Sequence, residues 1–310
     1  MKKRILLYYK YISLPNVAEI VTWQKTLCKD LGLTGRVLLA TEGINGTLCG
    51  SIQATNQYIE AMNNHALFGN IDFKDSLVSD HYDYFPKLRV IVKKEICKLG
   101  IAPEELTTDQ GGQHLTPEQT HTLMQDKPDD LIILDTRNSY ETRIGTFKDA
   151  IIPDIQYFRQ FPEYIDQHED LFKDKEVLMF CTGGVRCERA TAYLNTKNIA
   201  KKVYQIEGGI HRYAEKYPDG FFRGKNYVFD NRIAVKVNDD VLANCDLCNV
   251  SCDDMTNCRN SFCNKQFISC PGCLVTLDNC CSQNCFDLIE AGKVPRREHY
   301  PTVSQKKFNS

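Results

Sequence analysis

The chain lacks any long hydrophobic run. Its first apolar stretch, Ile5 to Tyr9 behind Lys3 and Arg4, stops at Lys10, far short of a membrane span or the core of a secretory signal. The expectation is a cytoplasmic protein with no membrane partner. A dominant charge is also missing: 38 Lys and Arg stand against 40 Asp and Glu, leaving −2. The whole-chain sum therefore says nothing about partners, and only local patches can. No repeat of fixed period and no low-complexity tract occurs, which excludes solenoids and tails of biased composition. With 42% hydrophobic and 25% charged residues the chain is neither disordered nor collagen-like nor a membrane bundle. Its 310 residues exceed what one core usually covers, so two or three domains are expected.

Cysteine is what the chain has in excess. There are fifteen, ten of them between Cys245 and Cys285. In a reducing compartment clustered thiols bind metal or do chemistry more often than they form disulfides.

Along the chain, Arg4 to Ile12 reads as a strand and Val17 to Leu31 as a helix ended by Gly32. Strands follow at Gly35 to Ala40 and Thr47 to Cys49, a helix near Gln53 to His65, and strands near Ile71 to Ser79 and Leu88 to Lys94. Asn45-Gly46 reads as a hairpin turn. The order β-α-β-β-α-β predicts a ferredoxin-like, α+β sandwich over 1–100, with 71–79 as an extra or split strand. Ala102-Pro103, Thr107-Thr108 and Gly111-Gly112 read as a linker, followed by a helix opening at Thr116-Pro117, so that 101–125 is linker and helix. From 126 to 218 apolar strands alternate with helices, the pattern of an α/β domain with a parallel sheet. The cysteine-rich segment, 219–310, has too little periodicity for an ordinary core.

Cys181 ends the apolar strand Val177 to Phe180 and leads into Thr182-Gly183-Gly184-Val185-Arg186 and a helix. Sites in parallel-sheet proteins are built at this end of a strand. Gly183 and Gly184 let successive N–H groups curl inward around an anion, and the helix N-terminus adds positive potential, so the thiol should ionise readily. A Cys alone would read as a buried core residue; Cys-x-Gly-Gly-x-Arg after an apolar strand reads as a nucleophile. Four residues separate Cys181 from Arg186, one fewer than a loop of the Cys-x5-Arg phosphatase kind needs. Cys187 reads as helix packing, with a resolving thiol as the other reading. Cys28, Cys49 and Cys97 read as core.

This loop resembles that of the rhodaneses over Leu131 to Tyr217, through Ile132 to Arg137, Tyr140-Glu141, Ile144 to Ala150 and Gln205 to Ile210, with Thr146 where most rhodaneses carry His. More widely, Gly35 to Thr47, Phe85 to Ile96, Asp135 to Asn138 and Val228 to Val235 resemble the rhodanese-domain tRNA uridine hydroxylases. The resemblance implies an acylphosphatase-like (ferredoxin-like) N-terminal domain, a rhodanese domain, and oxygen-dependent formation of 5-hydroxyuridine at the wobble uridine 34 of tRNA. It also implies that the essential rhodanese cysteine is Cys181, with Arg186, Gly183 and Gly184 as the anion-holding loop and Asp135 and Arg137 as the acidic residue and arginine of the strand motif. No organic cofactor motif is evident; oxygen is the co-substrate and the electron donor is not identified. A persulfide on Cys181 would be a nucleophile toward carbon 6 of uracil. The alternatives from other classes are thiosulfate-type sulfur transfer through the same cysteine, and a redox or metal-binding regulatory module in which Cys181 is a sensor.

Lys87, Arg89, Lys93, Lys94 and Lys98 set five cations against Glu95, with Tyr82, Tyr84 and Phe85 just before them. Cations mixed with stacking rings suit a single-stranded anticodon loop, although lysines also guard edge strands. Arg36 and Asn45 join these as candidate nucleic-acid contacts. Residues 126–176 carry thirteen Asp or Glu against seven Lys or Arg, so RNA is expected on another side. In the tail, Cys245-x-x-Cys248 and Cys270-x-x-Cys273 are knuckle-type pairs, and ten cysteines suffice for two four-cysteine zinc sites. One site is expected to use Cys245 and Cys248 and another Cys270 and Cys273; disulfides or reduced thiols are the other readings.

Overall fold

The computed structural model describes residues 2–297. The N-terminal unit contains β1 (Lys2–Tyr11), α1 (Val17–Asp30), β2 (Thr34–Ala40), β3 (Gly43–Ser51), α2 (Ile52–Asn63), β4 (Lys74–Ser79) and β5 (Leu88–Val92). The sheet order is β4-β1-β3-β2-β5. Its first four strands have the ferredoxin-like order, so β4 is integral, and the added strand is β5, which lies parallel to β2 at the far edge. The expected extra strand is therefore corrected from 71–79 to 88–92. Asn45-Gly46 is no turn either: both lie inside β3, opposite Tyr9 and Tyr8, and the chain reverses at Thr41-Glu42. Glycine is required at 46 because a Cβ there would lie 2.2 Å from Tyr8 Cζ.

Alternation along β1 sets up the site. Leu6 and Tyr8 point into the core under α1 and α2, with Leu39, Leu48 and Tyr58. Ile5, Leu7 and Tyr9 point to the opposite face, which the second domain covers.

That domain holds β6 (Gln113–Leu115), α3 (Pro117–Asp126), β7 (Leu131–Asp135), α4 (Ser139–Thr142), β8 (Gly145–Phe147), α5 (Phe161–Gln167), α6 (Glu169–Phe172), β9 (Glu176–Phe180), α7 (Val185–Lys197), β10 (Lys202–Ile206), α8 (Gly209–Lys216), β11 (Phe222–Tyr227) and β12 (Ala234–Lys236). Strands β6-β10-β9-β7 form a parallel sheet with the fully buried β9 inside it. The domain is wider than 126–218. β6 pairs with β10, and Leu99 and Leu106 are buried in the same core as Val177 and Met179, so most of the expected linker belongs to it. At the other end β11 pairs with β8.

The tail folds as a hairpin, β13 (Met255–Asn257) with β14 (Gln266–Ile268), followed by α9 (Pro271–Thr276) and α10 (Gln283–Glu290) around Phe267, Leu274 and Ile289. No helix among the described residues is long and apolar enough to cross a membrane.

Candidate active site and metal centres

Cys181 stands at the carboxyl end of β9, under the face of the N-terminal sheet that is turned away from α1 and α2. The loop after it turns back sharply: Gly184 has φ +103°, and its N–H points at Cys181 Sγ at 3.1 Å. The neighbouring sheet leaves no room for side chains in this loop. A Cβ on Gly184 would lie 2.6 Å from the Tyr9 hydroxyl, and one on Gly183 would lie 3.0 Å from Leu7. Gly209, at the start of α8, supports the loop from below, since a Cβ there would lie 2.4 Å from Cys181 O and within 2.9 Å of the Gly183 and Gly184 nitrogens.

Burial works against ionising Cys181. A hydrogen bond from Cys187, the Arg186 charge and the N–H groups of Arg186 and Gly183 outweigh it and bring the thiol from 9.0 down to about 5. Cys187 is pushed the opposite way, by burial and by the adjacent Cys181 sulfur, so it keeps its proton and donates it. Arg186 is held by a buried two-point pair with Glu141, at 2.6 and 2.7 Å. This Tyr140-Glu141 motif was legible as a resemblance; its function as the arginine's partner was not.

The sulfur lies at the floor of a cavity of about 700 Å³ between the two domains. Its roof is Ile5, Leu7, Tyr9 and Leu38, with Arg36 and Asn45 beside them. Val228 and Phe229 close one wall, and Phe229, 45% exposed, lies over the Arg186 guanidinium at 5.7 Å. The two domains are joined by Arg189, fully buried, which donates to Glu42 (2.7 Å) and to Ile101 O (2.8 Å), and by the Tyr9 hydroxyl on Glu188 (2.8 Å).

Three models match in succession: the UPF0176 acylphosphatase like domain over residues 3–96, the rhodanese-like domain over 116–216, and the rhodanase C-terminal domain over 223–286. The chain is 40% identical over 281 residues to the tRNA uridine(34) hydroxylase of Corynebacterium urealyticum, with 88% of this chain and 93% of that protein covered. It is 36% identical over 319 residues to the tRNA uridine(34) hydroxylase of Chlamydia trachomatis, covering 97% and 94%. Rhodanese-like domain-containing protein 6 of Arabidopsis thaliana is 37% identical over 300 residues, covering 88% of this chain and 51% of that protein. The chain belongs to the tRNA uridine(34) hydroxylase family.

Within this hydroxylase-family chain the candidate residues separate. Cys181, Gly183, Arg186, Arg36 and Asn45 meet at the cavity. Asp135 and Arg137 do not line it. Both are fully buried and paired with each other, and Arg137 also donates to Gly145 O (2.6 Å), so they brace β7 against β8. Asn45 donates to Ile96 O at 3.1 Å. Lys87 and Arg89 line a separate groove, while Lys93 and Lys94 are exposed and line neither space. Cys28 and Cys49 are buried as expected, but Cys97 is not simply core: it lines the cavity. His211 lines it too, with Nδ1 3.2 Å from Glu215, and burial lowers its imidazole so that it is neutral. No local motif marks Cys97 or His211; the domain packing places them.

Among the described residues two sets of four cysteines could hold metal: Cys245, Cys248, Cys270 and Cys273, and Cys258, Cys263, Cys281 and Cys285. The two knuckle pairs thus share one site, which corrects the expected assignment to separate sites. Along the chain Cys258 and Cys263 lie between the two knuckle pairs and Cys281 and Cys285 after them, so the two sets interleave, which spacing alone cannot reveal. All four sulfurs of each set lie within 4.8 Å of one another. Cys248–Cys270, Cys263–Cys281 and Cys281–Cys285 are 3.6, 3.7 and 3.9 Å apart. Four thiolates around a zinc, each about 2.3 Å from it, would lie about 3.8 Å apart, so the donor sets fit a closed tetrahedral ion. All fifteen cysteines are free, and Cys252 and Cys280 belong to neither set.

Proposed function

We propose that this protein hydroxylates carbon 5 of the wobble uridine, position 34, in the anticodon loop of tRNA, with Cys181 as nucleophile and molecular oxygen as co-substrate. The observation that carries this reading is the Cys181 sulfur at the floor of a base-sized cavity, in a chain similar over nearly its whole length to tRNA uridine(34) hydroxylases. A cavity of about 700 Å³ has room for a flipped-out nucleotide and far exceeds what thiosulfate fills, which favours hydroxylation over sulfur transfer.

In this mechanism the Cys181 thiolate, or the persulfide it carries, adds to carbon 6 of uracil and makes carbon 5 electron-rich. Carbon 5 then bonds to oxygen, and loss of its proton and of the sulfur from carbon 6 restores the ring. One uridine, one dioxygen, two electrons and two protons give 5-hydroxyuridine and water, so a two-electron donor is required. Gly183, Gly184 and Arg186 hold the sulfur anion, with Glu141 fixing Arg186. Asp135 and Arg137 act from below as positioning residues. Arg36, Asn45, Lys87 and Arg89 receive the RNA, and the exposed Lys93 and Lys94, just after β5, supply long-range attraction. Each cysteine set would hold a structural zinc, which when bound would supply cross-links in place of a large core. The protein works in the cytoplasm.

The test is incubation of wild type and Cys181→Ser with unmodified tRNA under air and under nitrogen, followed by digestion and mass analysis for 5-hydroxyuridine. Oxygen-dependent product from wild type alone is expected. Product from Cys181→Ser would sink the nucleophile assignment, and wild type that binds tRNA no better than a small sulfur acceptor would favour sulfur transfer.

A further inference from the structure

A second space opens beside the catalytic cavity. It is a groove of about 460 Å³ that shares Arg36, Val228, Phe229, Asp230 and Arg232 with the cavity. Among the described residues five cations line it, Arg36, Lys87, Arg89, Arg232 and Arg297, with one carboxylate, Asp230. That carboxylate is buried and gripped at both oxygens by Arg232, at 2.8 and 2.6 Å, so the surface it leaves is cationic. Four aromatic side chains line it as well: Phe229 is exposed, Tyr82 half-buried, and Phe85 and Tyr227 are buried in its wall.

Three parts of the chain build this groove. The N-terminal sheet supplies Arg36 from β2, Arg89 from the edge strand β5 and Lys87 just before it. The turn after β11 supplies Phe229 and Arg232, and it is anchored on the first part by Asn231, whose side chain donates to Asp83 O at 2.7 Å. The same turn holds Ile233 at φ +65°, a strained conformation for a β-branched residue. The third wall is the β13–β14 hairpin, through Thr256, Asn257 and Gln266, with Arg297 beside it. Gln266 meets the Tyr227 hydroxyl at 3.2 Å. Arg297 donates its backbone N–H to Arg259 O at 2.9 Å and its guanidinium to Asn264, both in the connection of that hairpin. That connection also carries Cys258, directly after Asn257, and Cys263, two members of the second cysteine set.

We propose that this groove binds the sugar–phosphate backbone and bases of nucleotides flanking the target uridine, and that the cysteine-clamped hairpin is one of its walls, so that metal in the second set governs RNA affinity. The proposal rests on the tRNA reading above and goes beyond it by making the tail part of the RNA contact. Phosphates meet the cations, unstacked bases lie on the rings, and the shared Phe229 marks where the target base leaves the strand for the cavity.

The test uses the full chain and an unmodified tRNA transcript, with binding measured across a salt series. Arg297→Gln is expected to weaken binding roughly fivefold and lower the salt slope by about 0.7, the value for one phosphate contact on a single strand. Asn257→Ala combined with Gln266→Ala should weaken it at unchanged slope. Chelator-stripped protein should bind at least tenfold more weakly and recover on zinc reloading. Alkylation of Cys181 should proceed at the wild-type rate in all of these forms, which separates loss of the groove from loss of the fold. Arg297→Gln with wild-type affinity and slope overturns the proposal while the tRNA reading stands, as does stripped protein that binds like the loaded form. Wild type that binds no tRNA removes both.

Discussion

The Cys187 thiol should control the ionisation of Cys181, and its removal gives a quantitative check on the site. Cys181 falls from 9.0 to about 5, toward the thiolate, against complete burial. After burial, the hydrogen bond from Cys187 is the largest contribution, ahead of the Arg186 charge and the two N–H groups. A hydrogen bond to a charged group contributes about 1.5–3 kcal/mol, so Cys187→Ala should raise the Cys181 pKa by about 1–2 units. Cys187→Ser keeps a donor and should restore most of the shift. The assay is the rate of iodoacetamide alkylation against pH, confirmed by thiolate absorbance. Near neutral pH both proteins are at least about half ionised, and their rates should agree within about twofold; near pH 5.5 the alanine variant should be roughly three- to twenty-five-fold slower. The sign follows from the acid: a lowered pKa means that thiolate is present above it and is lost as pH falls through it. A midpoint that stays near 5 in Cys187→Ala, or moves down, would refute the assignment of Cys187 as the donor.

Two further substitutions probe how the site is supported. Gly209→Ala places a Cβ against Cys181 O and the loop nitrogens at a residue with φ +63°, and should cost about 1–3 kcal/mol while slowing alkylation at low pH; unchanged melting and alkylation would show that the loop does not need that support. Arg189→Met strands the Glu42 carboxylate between the domains and should cost about 3–5 kcal/mol in urea unfolding, with Arg189→Lys a poor rescue because one ammonium cannot replace donors to both Glu42 and Ile101; a loss below about 1 kcal/mol would mean that Arg189 does not hold the domains together.

How much was legible in the sequence varied with the range of the interaction. The Cys181 loop could be read because its parts, a strand end, two glycines, an arginine and a helix start, lie within six residues and act through local backbone geometry. Ferredoxin-like order was legible from alternation and helical periodicity. Asn45-Gly46 misled because a hairpin signal and a glycine demanded by a neighbouring ring are the same letters; the ring, Tyr8, is on another strand. The edge strand was misassigned because β4 and β5 have similar local patterns, and only pairing with β1 or β2 tells them apart.

By itself, then, the sequence determined the elements, the two α/β units, the glycine loop that follows Cys181 and the presence of enough thiols for two metal sites, all properties of residues close in the chain. Tertiary structure alone decided which thiols share a site, that Glu141 holds Arg186, that Asp135 and Arg137 face away from the cavity, and that His211, Cys97 and Phe229 face into it. The physical reason is visible on β1. Alternation puts Leu6 and Tyr8 in one core and Ile5, Leu7 and Tyr9 over another domain, and a pattern with two apolar faces states that something covers the second face without stating what.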